Sequence, residues 1–155
     1  MVLLVKKQGD KIVILNNNRK LVELEDYRAL FLLRQLAKLL GYHITGGRPI
    51  VKCKQMLGIY DCTVFEGESE KRVEVLAETL TIILELLEEK CGARRPCKVK
   101  KRELGDTLCK KLGVCEDWER LFSNRDKYYS VFRVPLLLLE KHGKIKLTRQ
   151  YIVLE

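Results

Sequence analysis

The chain has only 7% aromatic residues, two histidines in 155 positions, and no apolar run long enough to span a membrane as a helix. A spanning helix needs about 20 consecutive apolar residues, so none is expected and no membrane partner follows. The opening Met1-Val2-Leu3-Leu4-Val5, followed by Lys6-Lys7, lacks the basic start and long apolar centre of a signal peptide, so a cytoplasmic protein is expected. No catalytic motif is present. His43 sits in a loop with no nucleophile or acid around it, and His142 falls at a helix end, where it would meet the helix dipole. Asp61 and Glu66 have a distant likeness to a nuclease carboxylate pair, but no E-x-K follows close behind them. An enzyme therefore ranks last among the readings, and no cofactor is expected.

What the sequence has is charge, unevenly placed. Residues 1–89 hold 13 Lys/Arg and 13 Asp/Glu, whereas residues 90–155 hold 17 against 8, so the whole net charge of +9 lies in the C-terminal part. Such an imbalance marks a half that faces a polyanion, and nucleic acid is the commonest one. A content of 46% hydrophobic and 33% charged residues argues for a folded chain rather than a disordered one.

Six cysteines form three close pairs, Cys53/Cys62, Cys91/Cys97 and Cys109/Cys115. None has the C-x2-C spacing usual in a zinc site. Local disulfides across a hairpin or helix end are the leading expectation, with free buried thiols and a zinc or iron–sulfur site left open. Disulfides inside cells are rare outside hyperthermophilic archaea and bacteria, and a low-aromatic, ion-pair-rich composition points the same way. A hyperthermophilic, archaeal-type source is expected.

Residues 2–24 read as a three-stranded meander, with turns at Gln8-Gly9-Asp10 and Asn16-Asn17-Asn18. The period then becomes helical from Glu25 to Leu40, with Tyr27, Leu30, Leu33, Ala37 and Leu40 on one stripe and Gly41 at the cap. Ile50–Cys53 and Tyr60–Phe65 suggest a second hairpin that would place Cys53 opposite Cys62. A long helix is expected from Ser69 to Lys90, so apolar that it is either a core helix or a seam with a second subunit.

Cys91–Cys97, with Gly92, Arg94, Arg95 and Pro96, has the composition of a linker. The expected division is therefore an α+β dimerisation or docking domain over 1–90, a linker over 91–97 and a basic domain over 98–155. The last would hold helices over Lys98–Leu112, Glu116–Phe122 and Arg125–His142, with Pro135 either kinking the third or opening a new helix. Lys144–Leu147 and Tyr151–Leu154 close the chain as a hairpin.

Three helices and a hairpin, with the passage Leu139-Glu140-Lys141-His142-Gly143-Lys144-Ile145 joining them, resemble the winged-helix family of nucleic-acid-binding domains. The resemblance covers the C-terminal third. The fold expected is thus α+β, a meander and hairpin with two helices followed by a three-helix winged helix with its hairpin. The resemblance implies a third helix whose start faces base edges in double-stranded DNA. That puts Ser123, Asn124, Arg125, Lys127, Tyr128 and Ser130 on the exposed side, and Tyr129, Phe132, Leu136 and Leu139 inside. It also implies backbone contacts from the hairpin residues Lys144, Lys146 and Arg149. The cluster Arg94, Arg95, Lys98, Lys100, Lys101 and Arg102 would meet phosphates beside the domain. A non-enzymatic DNA-binding regulator or replication/repair accessory factor is the leading expectation, as a homodimer or with a protein partner. The alternative is a structural subunit of a nucleic-acid-processing complex that uses the winged helix for protein contacts.

Overall fold

Alternating apolar and polar residues with tight turns between them build the first sheet. The structure, a computed structural model, describes residues 2–43, 47–67 and 69–155. Strands β1 (Leu3–Gln8), β2 (Lys11–Asn16) and β3 (Arg19–Glu25) form an antiparallel sheet in the order β1-β2-β3. The turn between β2 and β3 is Asn17-Asn18, with φ of 51° and 66°. Positive φ at both central residues is what a tight two-residue hairpin demands, and Asn tolerates it. Helix α1 (Asp26–Leu40) follows and stops at Gly41, which adopts the left-handed conformation (φ 79°) and returns its amide to the last turn. Meander, helix and cap all match the expectation.

Strands β4 (Ile50–Met56), β5 (Ile59–Glu66) and β6 (Ser69–Leu76) make a second sheet in the order β4-β5-β6, and helix α2 (Ala77–Cys91) follows it. The long helix expected over Ser69–Lys90 is therefore half strand. Val73 and Val75 are buried while Arg72, Glu74 and Leu76 between and beside them are exposed or half-exposed, a period of two. Val73, Leu76 and Leu80 also fit helical spacing, which is why periodicity alone misreads the segment. The β-branched valines favour the strand. The rest of the helix is core: Leu80, Ile83, Leu86 and Leu87 are all buried.

Each sheet thus leads into a 15-residue helix, and the chain contains a tandem βββα repeat. Displaced by 51 positions, Asp10 falls on Asp61, Val13 on Val64, Lys20 on Lys71, Val22-Glu23 on Val73-Glu74, Leu33 on Leu84, Leu36 on Leu87 and Gly41 on Gly92. So few shared residues kept the repeat out of sight in the sequence.

After α2 come β7 (Cys97–Lys100), α3 (Lys101–Leu112), α4 (Trp118–Ser123) and α5 (Arg125–Tyr128). One wide helical turn over Tyr129–Arg133 then leads into α6 (Val134–Lys141), β8 (Lys146–Leu147) and β9 (Tyr151–Leu154). The third sheet has the order β7-β9-β8. Lys98–Lys100 is a strand and not the start of a helix, because Cys97 and Val99 go inward while Lys98 and Lys100 go outward.

Pro135 does not break the helical run from Arg125 to Lys141. Proline has no amide hydrogen and its ring meets the carbonyl four residues earlier. The wide turn at Tyr129–Arg133 relieves that collision by lengthening the hydrogen-bonded step just ahead of the proline.

Two compact units result, Met1–Ile50 with Phe65–Glu70, and Val51–Val64 with Lys71–Glu155. This differs from the expected division at 91–97, because one hydrophobic cluster runs from Val51 to Leu154 across that segment. Disulfides join Cys53–Cys62 across β4 and β5, Cys91–Cys97 between α2 and β7, and Cys109–Cys115 at the end of α3. These are the three pairs that the spacing suggested.

In the second unit Trp118 lies against α3 at Gly105. A Cβ on residue 105 would run into Cε3 of Trp118 and lie 2.9 Å from Cζ3. The indole cannot retreat, because Phe132 and Tyr128 stand edge-on to it at 5.0 and 5.9 Å and its amide donates to Asp106 at 2.6 Å. Gly→Ala in an exposed helix gains up to about 1 kcal/mol. Here Gly105→Ala is expected to lose about 1–3 kcal/mol net through overpacking. A denaturant melt that showed the variant as stable as the parent would contradict this packing.

Candidate nucleic-acid interface

The third sheet sorts its residues by side. Cys97, Val99, Ile152 and Leu154 go into the core, while Lys98, Lys100 and Lys146 stay exposed. The register sets Lys98 opposite Val153 and Val153 opposite Lys146, with Lys100 opposite Tyr151. Directly opposed residues share a face, so three lysines surround one half-exposed tyrosine. The Lys98 ammonium lies 5.9 Å from the Tyr151 ring centre. Lys146 pairs with Glu155 at 3.0 Å, with both groups well exposed, and such a pair holds little energy.

The hairpin tip extends this surface. Thr148 and Tyr151 close the turn through a 2.9 Å backbone bond, which leaves Arg149 exposed at the end. Lys101 begins α3 beneath it. Its amide donates to the Gln150 carbonyl at 3.0 Å and its ammonium to the Arg149 carbonyl at 3.4 Å. Burial, then the neighbouring Arg133 charge, lowers the Lys101 pKa, while Glu140 opposes the shift. A lysine depressed partly by another cation is a local sign of crowded positive charge.

Comparison with known protein families, curated proteins and solved structures gave no match to this chain. The site must be read from its own geometry.

The remaining basic residues divide. Arg95 is engaged within the fold, donating to Glu88 at 2.6 Å and to the carbonyls of Gly92 and Arg94 at 2.8 and 2.7 Å. Arg94 donates to the Cys97 sulfur at 3.7 Å, and Arg102 pairs with Glu119 at 3.0 Å. Among the described residues, Lys98, Lys100, Lys144 and Arg149 form no ion pair. The cluster expected over 94–102 is therefore narrower in practice, with its freest charges on β7.

The start of the third helix departs most from expectation. Tyr128 is buried, not exposed, within an aromatic group that includes Trp118, Phe122, Tyr129 and Phe132. Tyr129 is only half-buried. The Arg125 guanidinium lies over the rings of Phe122, Tyr128 and Tyr129 at 5.0, 4.7 and 5.4 Å. Asn124 caps α5 by accepting from the Lys127 amide at 3.3 Å, and Lys127 donates through its ammonium to the Val114 carbonyl at 2.7 Å. The Ser130 hydroxyl donates to the Lys127 carbonyl at 3.3 Å, and that of Ser123 to the Arg120 carbonyl at 3.1 Å. Ser123, Asn124 and Arg125 are exposed as expected and Lys127 and Ser130 are half-buried, but each also makes a local contact within the fold. Glu116, Asp126 and Arg120 line the same groove, so its charge is mixed. This groove and the sheet face adjoin opposite ends of α3, whose 12 residues span about 18 Å.

Tyr151 and Val153 complete the sheet face, and sequence reading singled out neither. The signal was the repeated inward–outward pattern of Cys97-Lys98-Val99-Lys100 and Tyr151-Ile152-Val153-Leu154, which becomes informative only once the two strands are paired. Elsewhere, Asp61 is tied to Arg72 at 3.1 Å and not to a second carboxylate. His43 is exposed. Among the described residues no group of three or more His, Cys, Asp or Glu side chains converges on a metal-sized site, and no helix is long and apolar enough to cross a membrane.

Proposed function

We propose that this chain is a non-enzymatic nucleic-acid-binding protein whose contact surface is the exposed face and tip of the third sheet. The observation that carries the reading is the set Lys98, Lys100 and Lys146 around Tyr151, with Lys144 and Arg149 along the same hairpin. Ammonium and guanidinium groups on a firm sheet suit phosphates, because neutralising them releases condensed counterions. The tyrosine face adds a platform on which a base or sugar can rest.

The order α2, β7, α3, α4, α5–α6, β8, β9, with β7 on β9, supports a winged-helix reading of residues 77–155. In it α2, and not α3, is the leading helix. Double-stranded DNA is then the favoured ligand, held by the hairpin and β7. Because Asn124, Arg125, Lys127, Tyr128 and Ser130 serve the fold, binding relies on the backbone and discriminates weakly between sequences. Three disulfides are compatible with a hyperthermophile's cell interior and with an oxidising compartment alike. An accessory role in replication, repair or regulation fits these properties.

Gel shifts of the full chain on random-sequence duplex DNA across a salt series test the proposal. With five basic groups at phosphates, log affinity is expected to fall against log salt with a slope of about −4 to −5. No binding at low salt, or binding indifferent to salt, would falsify it.

A further inference from the structure

The two βββα repeats differ in what covers their helices. In α2 the positions Leu80, Ile83, Leu87 and Cys91 are buried, and α3 and α6 pack against that helix. Displaced by the repeat, the same positions in α1 are Ala29, Leu32, Leu36 and Leu40. In α1 no residue is fully buried. Its inner side is already used: Tyr27 stacks on Phe65 at 5.4 Å, and Arg34 donates to the carbonyls of Gly67 and Ser69 at 2.6 and 3.2 Å. The stripe of Leu32, Leu33, Leu36, Leu39 and Leu40 lies elsewhere on the helix and is 45–83% exposed.

Three properties identify the missing cover. Leu32, Leu36 and Leu39 follow the alternating four- and three-residue spacing that lets one helix seat along another. No charged residue falls between Leu32 and Leu40 on this stripe, so two copies can meet face to face without burying a charge. The five leucines present on the order of 500 Å², or about 1,000 Å² counted on two copies, the least that a specific interface needs.

We infer that α1 pairs with α1 of a second copy of this chain, antiparallel about a two-fold axis near Leu36. Leu36 then meets its own counterpart, and Leu32 and Leu33 meet Leu40 and Leu39 of the other copy. A self-matching patch of this kind closes on itself and produces a dimer, not a filament. The inference does not depend on nucleic-acid binding.

Sedimentation equilibrium of the full chain in high salt, without nucleic acid, tests it. The parent is expected to sediment as a dimer. Leu36→Glu is expected to raise the dimer dissociation constant at least about 30-fold, as for a central interface residue. Leu39→Glu, at the most exposed position of the stripe, is expected to act in the same direction. Both should retain the parent circular dichroism, since neither side chain is buried. A monomeric parent, or a dimer unaffected by both substitutions, would overturn the inference. So would a parent that associates only with a different protein.

Discussion

Phe132→Ala is expected to lower the unfolding free energy by about 3–5 kcal/mol, the range for removing a fully buried phenylalanine. Phe132 is completely inaccessible to solvent. It holds Trp118 at 5.0 Å and Tyr128 at 5.8 Å, so its loss empties the centre of the aromatic group. It also lies in the wide turn before Pro135, where main-chain bonding is already altered and side-chain packing has more to hold. In a chain of this size each kcal/mol moves the melting temperature by roughly 2–4 °C, so a drop of about 6–20 °C is expected. A calorimetric scan with the midpoint unmoved would show that Phe132 is not central to the second unit.

The second large effect concerns binding. Replacing Lys98, Lys100 and Lys146 together by alanine is expected to weaken duplex DNA binding several hundredfold near 0.1 M salt. Each phosphate contact contributes about 0.9 of a decade per decade of salt, relative to 1 M. The salt slope should shrink by about three at the same time. Stability should hardly change, since the three side chains are exposed and only Lys146 has an ion pair, itself exposed. The matching triple replacement of Asn124, Arg125 and Lys127 makes a sharp contrast. It should cost stability through the lost cap and ring contacts, and affect binding less. A reversed pattern would move the interface to the third helix.

Local signals in the sequence were readable where they were strong. Asn17-Asn18 announces its hairpin, Gly41 announces a helix end, and the cysteine spacing suggests the three bridges. Misreadings arose where one segment satisfies two periods. Val73, Leu76 and Leu80 fit a helix, while Val73 and Val75 fit a strand, and only burial decides between them. Lys98-Val99-Lys100 is the same case on a smaller scale. The third helix failed for another reason. Whether Arg125 is offered to solvent or laid over Phe122, Tyr128 and Tyr129 depends on tertiary packing, which no local pattern reports. The sheet face was half visible: its lysines were identified one by one, but their grouping around Tyr151 required β7 to pair with β9.

One small arrangement has a thermodynamic consequence. Lys101 is fastened to the hairpin tip twice, by its amide to Gln150 and by its ammonium to Arg149. The first turn of α3 and the end of the hairpin are therefore a single rigid mount, braced from below by the bond from the Leu147 amide to Glu140 at 2.7 Å. Groups carried on such a mount lose little conformational freedom when they engage a ligand, so more of each contact survives as affinity. Under the proposed function, the two Lys101 bonds would preorganise the neighbouring basic groups.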